Sequence, residues 1–202
     1  EIGSGLVGSE MCIRDRNMII TISRQYGSGG SQVAKILAER MGVWCYDRDI
    51  LTIAAERIGN EELTEDTIND LNYKRNDVAS AGITGVMGMG NIPIYNQMFL
   101  EQAKIIRKLA NYGSAVFLGR CADYILKDIK NCTSVYLYAD REFRKNRVKE
   151  IYGSNAEIMD KEEKNRADYY NYYTGNRWGD INNYDFAINT STVSYTHLTL
   201  PT

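Results

Sequence analysis

Apolar and polar positions alternate in two rhythms along this chain. Short apolar, β-branched or aromatic runs stand at 19–22, 43–46, 115–118, 134–138 and 186–189, each of a length that suits a buried strand. Between them apolar residues recur at helical spacing. Val33, Ile36, Leu37 and Met41 form one such stripe, stopped by Gly42, and Ile50, Ile53, Ala54 and Ile58 form a second. Phe99, Ala103, Ile106 and Ala110 share one side of a third. Residues 141–152 read as a basic helix, and 154–173 as a polar helix rich in Lys and Tyr. Strands that take turns with helices predict an α/β fold with a parallel sheet covered on both faces.

Residues 60–96 are less regular. Glu61, Glu62, Glu65, Asp66 and Asp70 read as a solvated helix face, and Gly82, Gly85, Gly88 and Gly90 as a loop. The two ends look foreign to the rest. Residues 1–17 and 193–202 show neither a helical nor a strand period and resemble translated sequencing-adapter reads. They are expected not to pack on the core. The natural chain is expected to start at Met18 and to continue beyond 192 with a segment that is lost here.

Composition narrows the function classes. With 202 residues, 44% hydrophobic and 25% charged, the chain suits one globular domain. A net charge of −2 argues against a general nucleic-acid binder, while leaving room for a local basic pocket. No apolar run approaches the roughly 20 residues that span a bilayer. Cys12, Cys45, Cys121 and Cys132 form no C-x-x-C pair and read as reduced thiols of a cytoplasmic protein. The one histidine, His197, lies in a suspect tail, so histidine-based acid–base catalysis is not expected.

The strongest local signal is Ile22-Ser23-Arg24-Gln25-Tyr26-Gly27-Ser28-Gly29-Gly30-Ser31, a strand that enters a glycine-rich turn and then a helix. Such a turn lets successive backbone N–H groups converge on one point, and the helix N-terminus adds positive potential there. That is what holding a polyphosphate requires. Against the pattern G-x-x-x-x-G-K-[ST], Arg24 stands at the first glycine and Gly30 at the lysine, while Ser31 keeps the hydroxyl that would ligate Mg²⁺. Arg24 can replace the missing cation or can pair with Asp47; Lys35 is a second candidate cation.

Together with later segments this loop resembles the opening of the cytidylate kinase-like family. Phe117 to Leu126 is similar to that family's central strand and turn, and Val135 to Asp140, with Arg144 and Arg147, to its next strand and basic helix. Asn165 to Tyr170 and Tyr184 to Ser191 resemble its lid and last strand. The resemblance covers 18–192. It implies a three-layer P-loop kinase fold with a parallel sheet, a helical substrate-binding insert at about 55–100 and a short lid at about 153–180. It also implies transfer of the γ-phosphoryl of ATP, with Mg²⁺, to a nucleoside monophosphate such as CMP or dCMP. Gly27, Ser28, Gly29, Gly30 and Ser31 would hold ATP. Arg24, Arg120, Arg144, Arg147 and Arg166 would supply cations to the transfer, and Asp47, Arg120 and Asp123 would bind the acceptor. Lys161, Lys164 and Arg166 would close over the phosphates, while the tyrosines at 169, 170, 172 and 173 would pack the lid. Plainer roles stay open: an N-cap or an Arg48 partner for Asp47, an Asp123 ion pair for Arg120, a solvated face for Arg144 and Arg147. So do a nucleotide-binding module without turnover and a P-loop kinase of another small molecule. The implied partners are small nucleotides, with no nucleic acid and no membrane.

Overall fold

The computed structural model describes residues 17–47, 50, 52–53, 94–153 and 156–192, with the side chains at 94 and 95 outside that set. Both tails and most of the expected insert therefore lie outside the described residues, as do the acidic stretch and the glycines at 82–90.

Five strands form one sheet: β1 (Ile19–Arg24), β2 (Trp44–Tyr46), β3 (Ala115–Leu118), β4 (Cys132–Tyr138) and β5 (Phe186–Asn189). Their order is β2-β3-β1-β4-β5, and every pairing is parallel. Among the described residues the helices are α1 (Gly30–Met41), α2 (Ile94–Tyr112), the short α3 (Ala122–Ile125), α4 (Arg141–Tyr152) and α5 (Ala156–Thr174). Residues 50, 52 and 53 are also helical. No helix among the described residues is long and apolar enough to cross a membrane.

The expected strands are all present, and two are longer than their apolar runs. β1 continues through Ser23 and Arg24, and β4 starts at Cys132. Ladder pairing explains both ends, because Ile19 sits opposite Cys132, Ser23 opposite Tyr136 and Arg24 opposite Leu137. Backbone bonding carries the strand past the last apolar side chain. The sequence pattern gave no sign of α3 or of the 3₁₀ turn Ile181–Asn183, which the Asp180 side chain caps by accepting the Asn182 N–H at 3.0 Å.

Successive residues of the central strands point to opposite faces, and both faces are buried. Ile19, Ala115 and Phe117 meet Ile105 and Ile106 of α2 on one side. Ile22, Val116, Leu118 and Leu137 meet Val33, Ala34 and Ala38 of α1 on the other. This two-sided burial fixes where the strands end, and hence where the turns after β1 and β3 open.

Thr190, just past β5, ties the far edge of the sheet to the first turn. The residue is 1% exposed, and its hydroxyl lies 2.8 Å from the Ser28 carbonyl and 3.1 Å from that of Tyr138. Thr190→Val leaves the Ser28 carbonyl buried without that donor and is expected to cost about 1–3 kcal/mol in urea unfolding. A variant within about 0.3 kcal/mol of the parent would show that the bond contributes nothing.

Candidate functional site

The turn after β1 is built by its own backbone. The Gln25 N–H still bonds Leu137 O at 2.9 Å, as though the strand continued. Its carbonyl turns inward to accept the Ser28 N–H at 3.3 Å and the Ser28 hydroxyl at 2.9 Å. Ser28 is therefore fully buried and its side chain braces the loop. Gly27 and Gly29 take φ +80° and +81°, left-handed values that a side chain would strain. Gly27 also has no room for one, since a Cβ there would fall 2.8 Å from Val148 Cγ2. Gly29 then opens α1 without any side-chain cap, leaving its first N–H groups for a ligand.

A hollow lies over this turn, with Gly27, Gly29, Gly30 and Ser31 on its floor and Lys35, Arg147 and Tyr152 on its sides. The Ser31 hydroxyl makes no hydrogen bond among the described residues, so it fits the part of a Mg²⁺ ligand. Arg147 donates to Gln32 Oε1 at 2.8 Å, which holds its guanidinium beside the start of α1. Arg144 is placed differently. It is 9% exposed and donates to the carbonyls of Ala139, at 3.2 Å, and Tyr26, at 3.3 Å, so it braces the loop from behind.

A second hollow adjoins the first at the carboxyl ends of β1 and β3. Ser23, Arg24, Gly119, Arg120, Cys121, Arg166, Tyr169, Tyr170 and Trp178 line it. Three successive residues after β3 are left-handed, Gly119 at φ +72°, Arg120 at +59° and Cys121 at +55°. Two of them carry side chains, which is uncommon and costs energy. That strained turn presents Arg120 to the hollow. Among the described residues, three guanidinium groups and no carboxylate line the space, which suits it to an anion.

Arg24 and Arg166 belong to both hollows. The Arg24 stem lies against Gly30, where a Cβ would come 2.6 Å from its own Cβ, and its Nη1 occupies the space beside Gly119. Its Nη2 lies 3.7 Å from Asp47 Oδ1 at the end of β2. Arg166 reaches in from α5, donates to the Arg24 carbonyl at 2.9 Å and lies 5.1 Å above the Tyr26 ring. Lys161 and Lys164, on the same helix, are exposed and line neither hollow.

Asp123 stands behind the second hollow and not on its wall. It is 7% exposed and accepts from the Tyr170 hydroxyl at 2.7 Å and the Ser23 hydroxyl at 3.3 Å. Burial raises its pKa above the ordinary carboxylate range, and those hydrogen bonds offset only part of the rise. Tyr169 and Tyr170 turn out to line the hollow, as does Trp178, which the sequence pattern did not single out. Glu163 was missed as well. Its carboxylate accepts the Tyr26 N–H at 2.8 Å and the Trp178 Nε1–H at 3.0 Å. A lone glutamate in a polar helix carries no local signal of such a role.

Over residues 19–192 the chain matches the cytidylate kinase-like family. No protein of curated function matches it in sequence. Among solved structures, an uncharacterized protein from Eubacterium ventriosum ATCC 27560 is 29% identical at TM-score 0.65, with 90% of this chain and 93% of that one covered. A sugar kinase from Janibacter sp. HTCC2649 (11% identity, TM-score 0.53, 91% of each chain) shares the fold alone. So does a gluconokinase from Sinorhizobium meliloti 1021 (14% identity, TM-score 0.51, 91% of this chain and 87% of that one).

The buried Asp123 makes a pH prediction. A carboxyl whose pKa is higher folded than unfolded gives stability that is present below the unfolded value, 3.8, and lost as pH rises through the raised folded value. Asp123→Asn removes that loss. In urea unfolding, Asp123→Asn should therefore gain on the parent as pH rises from about 4 to about 7, by at most about 1.4 kcal/mol per pH unit. Parallel curves would mean that Asp123 does not titrate differently on folding.

Proposed function

The chain belongs to the cytidylate kinase-like family, and on that premise we propose that it moves the γ-phosphoryl group of ATP to a nucleoside monophosphate, CMP or dCMP. The observation that carries this reading is the pair of adjoining hollows with Arg24 and Arg166 in their common wall. A transferred phosphoryl group must pass between donor and acceptor, and its charge spreads over three equatorial oxygens on the way. Cations shared by both spaces stand where that charge develops.

In this reading the ATP phosphates lie over the turn at 27–31, met by backbone N–H groups and by Arg147. Mg²⁺, held at the Ser31 hydroxyl, would neutralise phosphate charge. Arg120 takes the acceptor phosphate, and the rings of Tyr169, Tyr170 and Trp178 offer flat apolar surface to the rest of the acceptor. Gly30 leaves the usual lysine position without a charge, and guanidinium groups from β1, the β3 turn and α5 supply it instead. Lys35 lines the donor hollow and adds a further cation. The reaction needs positioning and charge more than a nucleophile from the protein. Cytoplasmic work fits the three described cysteines, Cys45, Cys121 and Cys132, all of them free thiols.

The test is ADP release from MgATP with and without CMP, repeated over a panel of nucleoside monophosphates. CMP or dCMP should stimulate release most, and Arg120→Ala should lower the stimulated rate at least about a hundredfold while the chain stays folded. ATP binding without acceptor-dependent release would favour a module without turnover. Stimulation by another small molecule alone would name a different acceptor.

A further inference from the structure

Glu163 joins the walls of the two hollows. It lies on α5, three residues before Arg166, so both side chains leave the same face of the helix. Arg166 donates to the Arg24 carbonyl, and Glu163 accepts the Tyr26 N–H, so α5 holds the loop backbone at two points of opposite polarity. The other carboxylate oxygen of Glu163 accepts the indole N–H of Trp178, in the wall of the acceptor hollow. Arg144 Nη1, 3.8 Å away, balances the charge.

Each N–H group is served by its own carboxylate oxygen, Tyr26 by Oε2 and Trp178 by Oε1, so in the same pose one of them would lose its acceptor in a glutamine. A glutamine offers one oxygen, and its NH₂ would face a donor. We propose that Glu163 is a positioning residue that couples the two hollows, so that filling one orders the other. The coupling to nucleotides rests on the kinase reading above; the clamp itself does not. A ligand on the loop fixes Tyr26 and a ligand in the acceptor hollow fixes Trp178. Each then orders half of one clamp, and the second ligand meets a wall already in place.

The test uses the whole chain carrying Trp44→Phe, because Trp44 is 75% exposed on β2 and is the only other tryptophan. Without ligand, Glu163→Gln should shift Trp178 emission and speed hydrogen exchange at the Tyr26 amide about tenfold or more. With a non-hydrolysable ATP analogue and Mg²⁺, CMP should tighten analogue binding about tenfold in the parent, and by less than about twofold in Glu163→Gln. Unchanged emission and exchange would overturn the clamp, and a Glu163→Gln variant that keeps the parent's coupling factor would overturn the coupling. Should neither nucleotide bind the parent, the substrate reading falls and the ligand-free arm alone decides whether Glu163 holds Tyr26 and Trp178 together.

Discussion

Gln25 is the residue at which the sheet becomes the site. Its N–H completes the β1–β4 ladder at Leu137 O, its side-chain oxygen accepts the Ala139 N–H at 3.1 Å, and its carbonyl folds back onto Ser28. One residue thus ends two strands at the same level and starts the glycine turn. Backbone groups freed from a ladder must find partners or water. Here the partners are spent on shaping the turn, which leaves the N–H groups at the start of α1 for a ligand.

Everything that gives the site its charge is placed relative to that junction. Arg24 leaves β1 one residue earlier and crosses the Gly119 turn toward Asp47. Arg120 is aimed by the left-handed turn after β3, whose Gly119 N–H bonds Ile22 O at 2.9 Å. Arg166 and Glu163 dock α5 on the residues either side of Gln25. A loop with glycine in place of lysine can therefore still face concentrated positive charge, because the cations come from neighbouring elements and enter the two hollows from the side.

The sheet was legible because central parallel strands are buried on both faces and so write unbroken apolar runs. Ile19 to Ile22 and Ala115 to Leu118 are of this kind, and the glycines at 27, 29 and 30 marked the turn between strand and helix. Side-chain direction was less legible. Arg144 and Arg147 look alike three residues apart, yet one is buried behind the loop and the other faces the hollow. Asp123 reads as an acceptor ligand or a partner for Arg120, whereas Ser23 and Tyr170 hold it behind the wall. Glu163 and Trp178 gain their parts from tertiary contacts across 137 and 15 residues of sequence, which no local pattern records.

The shared wall is the centre of this account, and Arg24 is its most exacting element. Turnover of Arg24→Ala and Arg24→Lys, measured beside their melting temperatures, separates a cation at the transferred group from a pin between strand ends. With Arg24 at the transferred group, Ala lowers turnover at least about a hundredfold in a chain that stays folded, with part of it restored by Lys. An Arg24→Ala protein that melts earlier yet keeps full turnover when folded would contradict it.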